Sequence, residues 1–137
     1  MSHFTKNSKA NIVDRVAFEE ACKELGLTNV IHDTTIQSFY GEAAQKVDVL
    51  ASYGQRCQVG LQKNAKGQYD MIADWYCVNR ETPSALKAQM GNGRSAENAI
   101  LQFTTKHTLA RKYRSQGYNC QFTNSQDGAI KMVMTKF

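Results

Sequence analysis

The stretch "QRCQVGLQKNAKGQYDMIADWYCV", residues 55–78, decides how this chain folds. Cys57, Val59 and Leu61 alternate with Gln58, Gly60 and Gln62, which is the period-two pattern of a half-buried strand. "NAKGQ" then centres a turn on Gly67, and residues 69–78 read as the returning strand of an antiparallel hairpin. On that reading Tyr69, Met71, Ala73, Trp75 and Cys77 share one face, while Asp70, Ile72, Asp74, Tyr76 and Val78 share the other. Trp75, the one tryptophan, is expected in the core. Asp70 and Asp74 would stand about 13 Å apart by strand rise. Carboxylates that act together on one bond are about 5–9.5 Å apart, so the two make a poor acid–base pair. The stretch therefore reads as structural, with Asp74 and Tyr76 kept as candidate functional side chains.

Working outward, "FTKNSKANIV" reads as a first strand, strongest at Ala10–Val13. Asp14 offers a helix N-cap, and Phe18, Ala21, Cys22 and Leu25 fall on one helical face. Gly26 then stops the helix, with Leu27 folding back over its end. Ile36, Phe39 and Tyr40 suggest a strand, Gly41 a turn, and "KVDVLASY" a further strand; His32-Asp33 is expected in a loop before them. "TPSALKAQM" predicts a short helix capped by Thr82, with Pro83 in its first turn and Gly91 at its end. Ser95 caps the longest helix, over 95–116, whose stripe runs through Ala99, Ile100, Phe103, His107, Ala110 and Tyr113 to a stop at Gly117. "YNCQFT" and "AIKMVMTKF" are strands joined by "NSQDG", a hairpin turn at Asp127-Gly128. This order predicts one α+β domain over residues 1–137. An antiparallel sheet would carry helices packed on one face, roughly ferredoxin-like.

Composition narrows the classes. The chain has 137 residues, 42% hydrophobic and 21% charged, with a single Pro, which suits a self-sufficient globular core rather than disorder. No apolar run is long enough to span a membrane, and "MSHFTKNSKANIVD" lacks the apolar centre of a secretory signal, so a cytoplasmic setting is expected. Cys22, Cys57, Cys77 and Cys120 form no Cys-x-x-Cys pair, so four reduced thiols and no structural metal are expected.

Motifs for chemistry are sparse. There is no G-x-S-x-G elbow, and His3, His32 and His107 are scattered; His107 reads as a hydrogen-bonded boundary residue of the long helix. "GNGRS", residues 91–95, opens a helix but lacks phosphate-loop spacing, and an inter-helix loop is the better reading. Net charge is +5, and Lys106, Arg111, Lys112 and Arg114 concentrate near the end of the long helix. Cations there suit the helix dipole, yet beside Tyr113 and Tyr118 they also form a basic rim. The Lys/Arg-Gly-Phe/Tyr run of RNA-binding sheets is absent.

The opening "MSHF", the run ending in "ADWYCV" and the ending "QGYNCQF…DGAIKMVMTKF" together resemble the conserved plastid and cyanobacterial hypothetical chloroplast reading frame thirty-five family, catalogued as a domain of unknown function (1257). The likeness covers nearly the whole chain in order and spacing. It implies a single-domain soluble protein of photosynthetic or related genomes, and it carries over no activity and no catalytic residue.

The expectation is a small non-catalytic binding or accessory module without cofactor, acting through a protein partner with an acidic surface that meets Lys106, Arg111, Lys112 and Arg114. A nucleic-acid-binding domain using the same basic end of the 95–116 helix is the first alternative. An enzyme with a site near Asp48, Asp74 and Tyr76 is the second.

Overall fold

The computed structural model describes residues 4–37, 43–91, 93–124 and 129–136. The side chains of residues 8–10 and 124 are outside that description. The expected strand at Phe39-Tyr40, the turn at Gly41 and the Asp127-Gly128 turn also lie outside the described residues.

Strand β1 (Thr5–Ile12) leads into helix α1 (Arg15–Glu24). Asp14 caps α1 as expected, its Oδ1 accepting the Ala17 N–H at 3.1 Å. At the other end Gly26 takes φ +94, Leu27 N–H reaches Cys22 O at 2.8 Å and Gly26 N–H reaches Lys23 O at 3.2 Å. Those two bonds satisfy carbonyls that the helix leaves open, and Leu27 is driven into the core.

Four strands follow: β2 (Asn29–Ile36), β3 (Gln45–Tyr53), β4 (Cys57–Lys63) and β5 (Tyr69–Ala73). They form an antiparallel meander, and β1 pairs antiparallel with β5, giving the order β1-β5-β4-β3-β2. The α+β class and the helix-on-sheet layering agree with the sequence reading. His32 and Asp33 do not lie in a loop; both sit within β2. Asp33 keeps a loop-like φ of +52, and the regular pairing is interrupted there, between His32↔Val49 and Thr34↔Val47.

The returning strand is shorter than expected. It ends at Ala73, and Asp74 caps a new helix, α2 (Trp75–Arg80), accepting the Cys77 N–H at 3.4 Å. An aspartate that supplies an acceptor two or three residues ahead favours helix over a continued strand. The two-face assignment beyond Ala73 is therefore overturned: Trp75 is half-buried against the core and Tyr76 is exposed. Because the indole is only half-buried, Trp75→Ala is expected to cost less than the roughly 3–5 kcal/mol of a full core truncation. Urea unfolding followed by far-UV circular dichroism checks this, and a cost at the top of that range would mean the ring is fully enclosed.

Helix α3 (Ser84–Gln89) follows, with Pro83 itself at the N-cap and no side-chain capping bond. Thr82 is not the cap; its Oγ1 donates back to Val78 O at 2.9 Å, closing α2 instead. The long helix α4 (Ala96–Arg114) is capped by Ser95, and a two-stranded ribbon, β6 (Tyr118–Asn124) with β7 (Ile130–Lys136), completes the chain.

All four helices lie on one sheet face. Phe18, Leu25 and Leu27 from α1 and its cap, Ile100 and Phe103 from α4, and Val49, Val59, Leu61 and Met71 from the strands form one buried cluster. The opposite face carries a smaller cluster of Ile36, Val47, Leu50 and Ile72, with half-buried Phe4. Gly60 lies under it, where an added Cβ would come within 2.7 Å of Val47 Cγ1. Val47 thus leaves the face it would share with Val49 in a regular strand; its partner Thr34 directly follows the irregular Asp33.

Candidate functional site

Helices α1 and α4 lie side by side, and their facing polar side chains form a continuous ladder. Arg111 Nε donates to Asp14 Oδ2 at 2.7 Å and Nη1 reaches Glu20 Oε1 at 3.5 Å. His107 presents Nδ1 to Glu20 at 3.1 Å and Nε2 to Glu24 at 2.8 Å, and Lys106 Nζ donates to Glu24 at 3.0 Å. Both ring nitrogens of His107 face carboxylates, and only the imidazolium form donates through both at once. Two cations expected to meet a partner, Lys106 and Arg111, are therefore engaged inside the molecule. Lys106 also stands 4.9 Å from the Phe103 ring centroid and 5.2 Å from that of Phe122.

Burial alone would raise the Glu24 carboxyl, but the hydrogen bonds from His107 and Lys106 outweigh it and hold the group below its ordinary 4.5. Burial opposes Arg111 in the same way at Asp14, whose carboxyl also ends below its ordinary value, 3.8. A carboxyl depressed in the folded state contributes stability that is complete above its unfolded pKa and lost as pH falls through the lower folded value. The melting temperature should accordingly fall as pH drops below about 4.5. Glu24→Gln should lower it at neutral pH and flatten part of that acid slope. Equal acid slopes in the two proteins, followed by calorimetry, would show that the ladder contributes nothing.

The remaining cations lie on the last turn of α4 and on the ribbon. Residues 1–97 hold eleven Lys and Arg against eleven Asp and Glu, whereas residues 98–137, from the third residue of α4 onward through the ribbon, hold six against one. Lys112 Nζ sits 5.5 Å over Tyr113, and Lys136 Nζ sits 5.8 Å over Tyr118. The two tyrosines meet edge to face at 5.9 Å, so the pair carries one cation at each end. Arg114 Nη2 donates to Cys120 O at 3.1 Å and ties α4 to β6. Among the described residues, no ion pair engages Lys112, Lys131 or Lys136. Sequence reading confined to the helix missed Lys131 and Lys136; a charge count by segment finds them.

The ribbon packs unevenly. Register puts Tyr118, Cys120 and Phe122 on one face with Met132, Met134 and Lys136 opposite them. Cys120 is buried, while Met134 is 42% exposed. Strand β6 thus seats on α4 and β7 overhangs. Beneath β7 runs an apolar groove of about 230 Å³ lined by Thr105, Leu109, Phe122, Ile130 and Met132. A smaller cleft of about 140 Å³ between α4 and the end of β1 shares Thr105 and Leu109 with it and is walled by Ile12 and Val13.

The other candidates separate. Asp74 is a helix cap, and the Tyr76 hydroxyl accepts from Arg80 Nη1 at 3.0 Å on the exposed side of α2. Register sets Ala73 opposite Val59 and Ser52 opposite Gln58, which places Asp74 at one end of the meander. Asp48 lies at the other end, four residues or about 13 Å along the strands. Its Oδ2 accepts the Lys63 N–H at 2.6 Å in a polar cleft of about 660 Å³ on β2, β3 and β4, with Asp33, Lys46 and Gln62 also in the lining. Asp48 is thus not gathered with Asp74 and Tyr76. At the end of the 91–95 segment Ser95 Oγ accepts the Asn98 N–H at 3.1 Å and so serves as the cap of α4.

All four cysteines are buried free thiols, and Cys77 belongs to α2 rather than to a strand. Burial, with Glu81 adding, pushes the Cys57 thiol up to about 12, and burial likewise raises Cys22, with Cys57 and Glu19 near it. Thiolate is the nucleophile, so the native chain at neutral pH should resist iodoacetamide at both positions and react at all four once unfolded. Intact-mass measurement reads this directly; rapid native labelling of Cys57 would overturn it.

Among the described residues, no three His, Cys, Asp or Glu side chains gather to hold a metal ion. No helix there is long and apolar enough to cross a membrane. No curated protein and no solved structure matches the chain. A family model described as "Protein of unknown function (DUF1257)" matches residues 21–133, from within α1 to within β7. The end of α1, the meander, α4 and most of the ribbon fall inside that match, and the chain belongs to the DUF1257 family.

Proposed function

We propose that this protein is a small non-catalytic binding or accessory module that acts through a protein partner with an acidic surface. The observation that carries this reading is the confinement of the full +5 to residues 98–137. There Lys112, Lys131 and Lys136 remain after the α1 carboxylates have taken Lys106, His107 and Arg111. Cations left on a surface beside apolar ground favour an anionic partner. The setting is a cytoplasmic or stroma-like compartment of a cell with a photosynthetic or related genome.

Affinity capture from the native cell tests it, with wild type beside the Lys112→Glu/Lys131→Glu/Lys136→Glu variant and nuclease added throughout. One protein should be retained by wild type, released as salt rises and lost from the variant. A partner held equally by the variant would overturn the reading. Capture abolished by nuclease would move the assignment to nucleic acid.

A further inference from the structure

Each strand of the ribbon has, among the described residues, one edge without a strand neighbour, but β6 is seated on α4 whereas β7 overhangs. Among the described residues β7 pairs with β6 alone, so alternate residues along it present open backbone donors and acceptors at the outer edge. Beneath that edge the groove and the β1 cleft run together along one flank of α4, with Thr105 and Leu109 as their shared floor. Val13 at 58% exposure, Leu109 at 36% and Met134 at 42% leave apolar ground on either side of the space a further strand would fill. Lys131 and Lys136 flank it on β7 itself.

We propose that the open edge of β7 takes up an extended, acidic and apolar segment of the partner protein as a third ribbon strand. Resting on the acidic-partner reading above, this names the segment and its seat. Alternate apolar side chains would lie over Leu109 and Met134, main-chain groups would pair with β7, and the intervening carboxylates would face the side of β7 that carries Lys131, with Lys136 in reach at the strand end. The same lysines argue against a second copy of this chain, because edge lysines repel a like-charged strand.

The test uses the isotope-labelled full chain and four probes: an octapeptide alternating Glu with Val, one alternating Lys with Val, octaglutamate, and an oligothymidine. The Glu/Val peptide should protect the β7 amides from hydrogen exchange and bind about tenfold or more tighter than the Lys/Val peptide, a difference of about 1.4 kcal/mol. Leu109→Glu and Met134→Glu each alter an exposed side chain and should each weaken it about tenfold, with Trp75 fluorescence confirming the fold. If octaglutamate binds equally well with no protection of β7, strand addition fails while the acidic-partner reading stands. If neither acidic peptide binds, or the Lys/Val peptide matches them, both fail. Preference for the oligothymidine assigns the surface to nucleic acid. Concentration-dependent protection of β7 without any peptide assigns it to a second copy, and either result overturns the proposal.

Discussion

Phe18→Ala is expected to lower the free energy of unfolding by about 3–5 kcal/mol. Phe18 is fully enclosed on the inner face of α1 and is the largest side chain that helix contributes to the core. The cluster it enters includes many short side chains, among them Ala21, Ala51, Ala73 and Ala99. An alanine has no rotatable stem to swing into a void, so the site collapses little and the cavity cost adds to the lost transfer energy. The urea midpoint should drop with an unchanged slope, and the melting temperature should fall by roughly 10–15 °C for a chain of this size. A loss below about 1 kcal/mol would mean that α1 is not seated on the sheet as described.

Gly26→Ala should cost about 2–5 kcal/mol, from two separable sources. The first is conformational: φ of +94 is a left-handed geometry, which costs an L-residue about 1–2 kcal/mol. The second is steric, since the new Cβ would stand 2.8 Å from Pro83 Cβ, and a proline ring cannot swing away. Forcing such an overlap in a packed region costs about 1–3 kcal/mol. Gly67→Ala separates them, because Gly67 has φ +76 with nothing within 4 Å of its added Cβ. If both variants lose the same stability, the contact between the end of α1 and the start of α3 contributes nothing. If Gly26→Ala loses more, the difference measures that contact.

Legibility in the sequence followed the range of the interaction. Helix α1 was readable at both ends because Asp14 and Gly26 act within a few residues of themselves. The β4–β5 hairpin was readable from alternation and the Gly67 turn. Helix α2 was not, because "WYCV" is rich in residues that favour strands and six residues are too few to show helical period. The one local signal was Asp74 placed three before Cys77, and it was read as a strand position. Strand β2 was hidden by His32-Asp33, whose polar character suits the positive φ that Asp33 adopts without leaving the sheet.

The site divided in the same way. The cations of α4 were visible, but which of them stay available depends on α1, some ninety residues earlier in the chain. A hint existed: Glu20 and Glu24 are one helical turn apart, as are His107 and Arg111, so two ladders of opposite sign were waiting to face each other. Nothing local said that the helices would lie side by side. Lys131 and Lys136 escape a reading confined to the long helix because they stand five residues apart on a strand and form no local run of charge.

The ladder between α1 and α4 also gives the molecule a heading. By taking Lys106 and Arg111 onto α1 carboxylates it leaves Lys112, Arg114, Lys131 and Lys136 as a concentrated cationic end at the ribbon, and that local excess amounts to an electric moment. In the field of an anionic body such a molecule turns ribbon-first while still about a screening length away, roughly 8 Å at physiological salt. Encounter is then oriented before any contact forms. Added salt should slow arrival far more than it hastens departure, and stopped-flow association and dissociation rates across ionic strengths would display that asymmetry.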